Sequence, residues 1–141
     1  MELGRELFGA ARDGNATRVR ELVAQGADMN ERRAGGATAL HMAAGFGHEG
    51  VTRTLLALGA DKEIESDGGM RPLHVAAMSG HVEVTRGLVQ SGVLLDTQTA
   101  HGTAHAISLH HGHPQVTSLL EAAVQSRLRS AAAAANQAGG S

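Results

Sequence analysis

The sequence predicts an all-α solenoid, in which four short helix-turn-helix units stack side by side and are joined by exposed β-turn or hairpin fingers. A sequence pattern that recurs every 33 residues predicts the repetition, and glycines placed after each predicted helix predict its end. Aromatic residues are also nearly absent, since the 141 residues include only Phe8 and Phe46 and neither Trp nor Tyr. A core of Leu, Val, Ile, Met and Ala favours thin, closely stacked helices.

The repeat is clearest in the two central units. Residues 39–44 (Ala-Leu-His-Met-Ala-Ala) recur as residues 72–77 (Pro-Leu-His-Val-Ala-Ala), and a Gly-His pair follows each segment after two further residues. The same glycine recurs as Gly14 in the first unit and as Gly112 in the last unit, which has lost one residue. The predicted units cover about residues 4–36, 37–69, 70–102 and 103–125.

Each unit is predicted to contain two short helices. The first helix covers about residues 38–46 in the second unit and 72–79 in the third, where Pro72 suits the first helical turn. The second helix covers about residues 49–58, and a glycine ends it. The Gly- and Asp-rich residues 61–69 then form an exposed finger. Helices this short are unstable alone, so each must bury its apolar face against the next unit.

Composition and motifs argue against several classes of function. The formal net charge of −2 gives no attraction to nucleic acid or to an anionic membrane. The absence of cysteine removes disulfides, thiolate nucleophiles and Cys-ligated zinc, and agrees with a cytoplasmic location. The sequence has no phosphate-binding loop, nucleophile elbow or dinucleotide fingerprint. It therefore predicts a non-enzyme that has no cofactor and binds neither nucleic acid nor membrane.

At the repeated residues the chain resembles the ankyrin-repeat family, whose pattern is T-P-L-H-x-A-A, then G-H, L-L and G-A-D. Residues 38–41 (Thr-Ala-Leu-His) and 71–74 (Arg-Pro-Leu-His) each depart from this pattern at one position. Gly-Ala-Asp occurs at residues 26–28 and 59–61. The resemblance covers about residues 4–125, and it implies an ankyrin-repeat solenoid.

The outer units and the C-terminal tail depart further from the pattern. Phe8 and Ala106 replace the histidine of the first helix, as expected of end units with one face in water. The third Gly-Ala-Asp has degenerated to Gly-Val-Leu at residues 92–94. The repeat domain is predicted to cover residues 1–125. Residues 126–141 are predicted to form an Ala-rich helical extension that ends in a flexible tail.

The nine histidines raise the question of a metal site. The resemblance implies that His41 and His74 tie neighbouring units together through hydrogen bonds, and that the histidines of the Gly-His pairs are structural. Adjacent His110 and His111 are expected not to share one helix face. The histidines of the fourth unit are interpreted as an exposed cluster, with adventitious metal binding as the alternative. They are His101, His105, His110, His111 and His113.

The resemblance implies a protein–protein interaction module, an adaptor or regulatory scaffold that binds a protein partner through its fingers and the concave face of its first helices. Phe46 and Met78 are predicted to form an apolar anchor. The fingers change sign from basic to acidic, which would orient a partner of the opposite charge order. The candidate partner-binding residues are Arg32, Arg33, Glu65, Asp67 and Met70 on the fingers, and Phe46, Met78, Ser79, His110 and His111 on the concave face.

Two alternative functions stay open at this point. The chain would also suit a permanent, non-catalytic accessory subunit of a larger multiprotein complex. A histidine-based metal or pH sensor is the third hypothesis, because imidazole binds transition metals and titrates near neutral pH. The short length, with no large apolar stripe on the end units, predicts that the chain is monomeric on its own.

Overall fold

A computed structural model describes residues 2–139 and shows eight α-helices arranged as four consecutive pairs. Two or three residues join the helices of a pair, so the second helix runs back along the first. Apart from one isolated bridge between Thr99 and Gly102, residues 2–139 contain no strand pairing. The helices are α1 (Leu3–Asp13), α2 (Ala16–Ala24), α3 (Ala39–Phe46), α4 (Glu49–Ala57), α5 (Pro72–Ser79), α6 (Val82–Gln90), α7 (Ala104–His110) and α8 (Pro114–Gly139).

The pairs stack in chain order and form two layers. In one layer α1 packs on α3, α3 on α5, and α5 on α7. In the other layer α2 packs on α4, α4 on α6, and α6 on α8. The predicted all-helical solenoid is therefore confirmed. The segments between pairs form the fingers, and the first finger contains a short 3-10 turn at Ala34–Gly36.

Local sequence explains why these helices begin and end where they do. Thr38 caps α3 by accepting a hydrogen bond from the His41 backbone N–H, and Asn15 caps α2 in the same way from the Arg18 N–H. Gly47 ends α3 in the left-handed conformation, with φ of 77°. A residue with a Cβ atom is strained there, which is why the glycine of each Gly-His pair marks a helix end so reliably.

The core repeats with the pairs. Each second helix buries a valine and a leucine three or four residues apart, the spacing of one helix face. The first helices of the two central pairs bury an Ala-Ala dipeptide against their neighbours, which allows the close approach that the sequence predicts. Burying one Val or Leu side chain contributes ~1.5–3 kcal/mol. The Val and Leu positions are Val19 and Leu22, three apart in α2, and Val51 and Leu55, Val84 and Leu88, and Val116 and Leu120.

Helix α8 differs from the other second helices in length. It has 26 residues, whereas α2, α4 and α6 have nine each. It crosses the predicted domain boundary at residue 125 without a break and includes Gln137–Gly139, which the sequence placed in a flexible tail. Alanine has the highest helix propensity, which accounts for the continuation. The remainder of the predicted tail, Gly140 and Ser141, lies outside the described residues.

Candidate functional site

Two histidines, here called the inner ladder, link neighbouring pairs through the core. Nε2–H of His41 donates to the Met70 carbonyl at 2.8 Å, and Nε2–H of His74 donates to the Thr97 carbonyl at 2.9 Å. The Nδ1 atoms accept the backbone N–H of Thr38 and Arg71, which holds each ring neutral with its proton on Nε2. His41 thus links the predicted second unit to the third, as expected, whereas His74 bonds to the finger of its own predicted unit.

The histidines of the Gly-His pairs form a second, outer ladder in the opposite direction along the stack. Nε2 of His48, His81 and His113 lies 2.6, 3.1 and 2.9 Å from a carbonyl at the end of the preceding first helix. Each ring also lies over the glycine of that pair, so that a Cβ atom at Gly47 would lie 2.7 Å from the His81 ring. Glycine is therefore required there for the approach of the ring as well as for the backbone conformation.

Burial lowers the pKa of the inner-ladder histidines. For His41, desolvation is the largest cause, and the positive charges of Arg32 and His74 act in the same direction. For His74, desolvation is again the largest cause, aided by Arg71 and opposed by Glu63 and Glu65. Carbonyl acceptors on the neighbouring finger oppose the shift at both residues. Both rings are consequently neutral structural groups, with no spare nitrogen for catalysis or metal binding.

The charges of the first finger are paired within the protein. Arg32 lies 3.0 Å from Asp67 of the second finger and also donates to the Gly36 carbonyl. Arg33 is half-buried and lies 3.0 Å from Glu31 and 3.4 Å from Glu2. The orienting effect of the change in sign between these fingers stays a prediction. Side chains of opposite charge on neighbouring fingers lie close enough to neutralise one another, and their sequence separation hides that proximity.

The charges of the second finger are also paired within the protein. Arg71 lies 3.4 Å from Glu63 and 3.3 Å from Glu65, and its side chain is largely buried. Glu63 also accepts the Leu94 N–H at 2.7 Å, so this carboxylate connects the second finger to the third. Met70 is half-buried and packs against the core, while its carbonyl receives His41. The two predicted carboxylates of this finger are exposed, since the side chains of Glu65 and Asp67 are 53% and 70% accessible to solvent.

The layer of first helices carries two exposed apolar residues, Phe46 and Met78. Phe46 is 56% exposed at the end of α3, and Met78 is 37% exposed at the end of α5. Their helices pack directly against each other, so the two side chains occupy neighbouring positions along this face. Ser79 beside Met78 is partly exposed. The Phe46 ring also stacks on His48, with 6.5 Å between ring centroids, which restricts its orientation.

Of the five fourth-pair histidines, His110, His111 and His113 lie ring to ring, with His111 in the middle. His113 belongs to the outer ladder, and His105 lies 2.9 Å from Glu121. His110 and His111 contact each other edge to face, with 5.2 Å between ring centroids. Helix α7 ends at His110, and His111 turns at the cap. No group of three or more potential metal ligands occurs among the described residues.

Comparison with known families decides the classification. A family model described as ankyrin repeats, in three copies, matches residues 7–100. The chain belongs to the ankyrin-repeat family. Ankyrin repeats are in general protein–protein interaction modules, and the family is typically non-catalytic. The match ends before α7, so the count of four ankyrin repeats stays a prediction. A search of curated proteins gave no match.

Some surface features of this ankyrin stack were not predicted. At the last pair, His105 and Glu121 replace the apolar residues found at equivalent positions of the inner pairs, Leu73 and Val89 in the third. Leu94 is exposed beside α8, at the position of the aspartate in Gly-Ala-Asp. The signal for both was present in the sequence, as a departure from the repeat at an aligned position. No helix within residues 2–139 has the length and hydropathy of a membrane span.

Proposed function

We propose that this ankyrin-repeat protein is an adaptor or regulatory scaffold that binds a protein partner across its concave face and fingers. The observation that carries the proposal is the exposure of Phe46 and Met78 on neighbouring first helices. Elsewhere on these helices the large apolar residues Leu40 and Leu73 are buried, so the two exposed side chains have no role in the core. Exposed apolar residues on a rigid surface are typical anchors of protein interfaces.

The paired finger charges support a preorganised binding surface. The Arg32–Asp67 pair joins the first and second fingers, and the Asp67 N–H also donates to the Gly35 carbonyl at 2.9 Å. Glu63 joins the second finger to the third. A surface whose loops are already held in place loses less conformational entropy on binding than a mobile one. We therefore assign the finger charges first to positioning the fingers and second to contact with the partner.

The anchor is tested once a partner has been isolated from the native source. Phe46→Ala is expected to weaken binding by about 2 kcal/mol or more, mainly through a faster dissociation rate. Leu58→Ala is the matched control, because Leu58 is also an exposed large apolar residue but lies at the end of α4 on the opposite layer. Surface plasmon resonance gives both rate constants. Unchanged binding by Phe46→Ala, with the fold intact by circular dichroism, would contradict the concave-face proposal.

The same purification separates an adaptor from a permanent accessory subunit, the alternative function. A permanent subunit stays in stoichiometric complex through high salt, because large apolar interfaces resist screening. An adaptor with a modest interface is expected to dissociate and to be recovered partly free. A cytoplasmic location, predicted from the absence of cysteine, forms part of this proposal, and cell fractionation tests it.

A further inference from the structure

An apolar groove lies between the third finger and α8, and none of the residues that carry the proposed function lines it. It encloses about 240 Å³ and is lined by Leu94, Leu95, Asp96, Val124, Arg127 and Leu128. Leu94, Val124 and Leu128 are 52%, 38% and 60% exposed. Three large apolar side chains exposed around one recess mark a surface that another molecule covers.

Leu94 is unusual for its position in the repeat. The aspartates at the equivalent positions, Asp28 and Asp61, cap their own turns by accepting the N–H two residues later. A leucine cannot do this, although the Leu94 N–H still donates to Glu63, as the Asp61 N–H donates to Asn30 one repeat earlier. Leucine at this position therefore lacks the local hydrogen bond and exposes an apolar side chain to water. Burial of that side chain in an interface would be favourable.

Helix α8 completes the groove because Arg127 holds it in place. The Arg127 guanidinium donates to the carbonyls of Val89 and Val93, where α6 ends. This contact directs Val124 and Leu128 toward the third finger. Ala131 and Ala135 continue the same helix face beyond Leu128, at spacings of three and four residues.

We propose that two copies of the chain form a dimer through this surface, with Leu128 of each copy seated in the groove of the other. An interface around a twofold axis needs one patch that is complementary to itself. This patch qualifies, since it contains both a protruding leucine and a recess. The exposed face of α8 beyond Leu128 consists of alanine, which allows two antiparallel helices to approach closely.

Charge complementarity supports the same occupant. Asp96 is exposed at the groove, and Arg129 is exposed directly after the protruding Leu128. Neither residue belongs to an ion pair within residues 2–139. When Leu128 enters the other copy's groove, Arg129 approaches the other copy's Asp96, and the twofold axis repeats this pair. The same patch on each copy therefore contributes Asp96 to one ion pair and Arg129 to the other.

The size of the surface sets the expected strength. Residues 122–139 of α8 extend about 27 Å at the helical rise. Two such helices and two grooves bury on the order of 1,000 Å² in total, at the low end of specific interfaces. A reversible dimer at micromolar concentration or above is therefore expected. Such a dimer departs from the monomer that the sequence predicts.

The test measures the mass of the full chain by sedimentation equilibrium from micromolar to near-millimolar concentration. The wild type is expected to approach twice the monomer mass, and Leu128→Asp to raise the dissociation constant at least about tenfold. Leu109→Asp is the matched control, because Leu109 is 58% exposed but lies on α7 outside the groove. A monomeric wild type would overturn the proposal, as would dimerisation that Leu109→Asp abolishes and Leu128→Asp leaves intact.

Charge exchange tests the register of the two copies. Asp96→Arg and Arg129→Glu are each expected to weaken the dimer several-fold, because each places like charges opposite one another. The double variant restores opposite charges, so its dissociation constant is expected to return to near the wild-type value. A double variant as weak as either single variant would show that these residues do not face each other, and would overturn the proposed arrangement.

Discussion

At the scale of single residues, histidine connects the stack in both directions. His74 contacts the finger that follows it, whereas His81 contacts the helix that precedes its own pair. The acceptors are backbone carbonyls in partly buried surroundings, so each bond satisfies a polar group that stacking removes in part from water. The resemblance to the family implied hydrogen bonds from His41 and His74 and a structural place for His48 and His81, but not the bond of His81 to the preceding helix. The ion pairs between fingers were missed, because Arg32 and Asp67 are 35 residues apart and only the fold brings them together.

Replacing an inner-ladder histidine should destabilise the protein. His74→Ala leaves the Thr97 carbonyl and the Arg71 N–H without their partner, and we expect a loss of about 1–3 kcal/mol in the free energy of unfolding. Urea denaturation followed by circular dichroism measures this value. His101→Ala is the control, because that side chain is exposed on the third finger. If the two variants were equally stable, His74 would not link the pairs energetically.

Acid should weaken the stack through the same histidines. Folding lowers the pKa of His41 and His74 below the value of about 6.5 that histidine has in an unfolded chain, so the unfolded state binds protons first as the pH falls. The stabilisation is complete above about pH 6.5 and is lost progressively below it. Urea midpoints measured on both sides of this value should differ more for the wild type than for a His41→Gln/His74→Gln variant. An equal pH dependence would assign the effect to other groups.

At the scale of secondary structure, the sequence located the helices of the repeats well and the last helix poorly. The central helices begin and end at Thr38, Gly47, Pro72 and Gly80, residues whose backbone preferences act locally and can be recognised without knowing the fold. The course of α8 depends instead on Arg127, which contacts carbonyls 34 and 38 residues earlier in the chain. No local preference encodes such a contact. Alanine propensity explains that a helix forms there, but not the direction in which it runs.

Removing the Arg127 contact should loosen the end of α8 without disturbing the stack. Arg127→Gln loses charge-assisted bonds to the C-terminal end of α6, and amide hydrogen exchange after residue 123 should become about tenfold faster. Exchange in α3 and α5 should stay unchanged. Gln125→Ala provides the control, since Gln125 is exposed on the same helix. If exchange in α8 were equal in both variants, the helix would be held by its apolar contacts alone.

At the scale of the whole molecule, each pair contacts only its neighbours, as in other solenoid proteins. Stability therefore comes from the junctions between pairs, where apolar burial and the two ladders act together. The last pair ends this series with the polar contact of His105 and Glu121, which faces water more readily than the leucine and valine of the inner pairs. The chain thus has a core that extends along the stack and a terminal pair suited to closing it.

Metal removal should leave the whole molecule unaffected. Every junction described above uses apolar contacts and hydrogen bonds. Both ring nitrogens of each inner-ladder histidine bond to backbone groups, and each outer-ladder ring bonds to a carbonyl through Nε2. We expect the same melting temperature for protein incubated with zinc and for protein treated with a chelator. Differential scanning calorimetry measures it, with a magnesium-treated sample as the control for ionic strength. A drop of many degrees after chelation would mean that a metal stabilises the stack.

The use of backbone carbonyls as ladder acceptors also affects how such a chain can change in length. A duplicated copy of residues 37–69, inserted after residue 69, would present a carbonyl at each acceptor position whatever the side chains nearby. Its own histidines, equivalent to His41 and His48, would meet the matching acceptors of both neighbours. At the C-terminal end, Ala106 stands at the position of the inner-ladder histidines and has no side-chain hydrogen-bond donor. His105 and Glu121 present a polar surface there. The gene can therefore lengthen this protein by internal duplication without compensating substitutions, whereas growth from that end requires them.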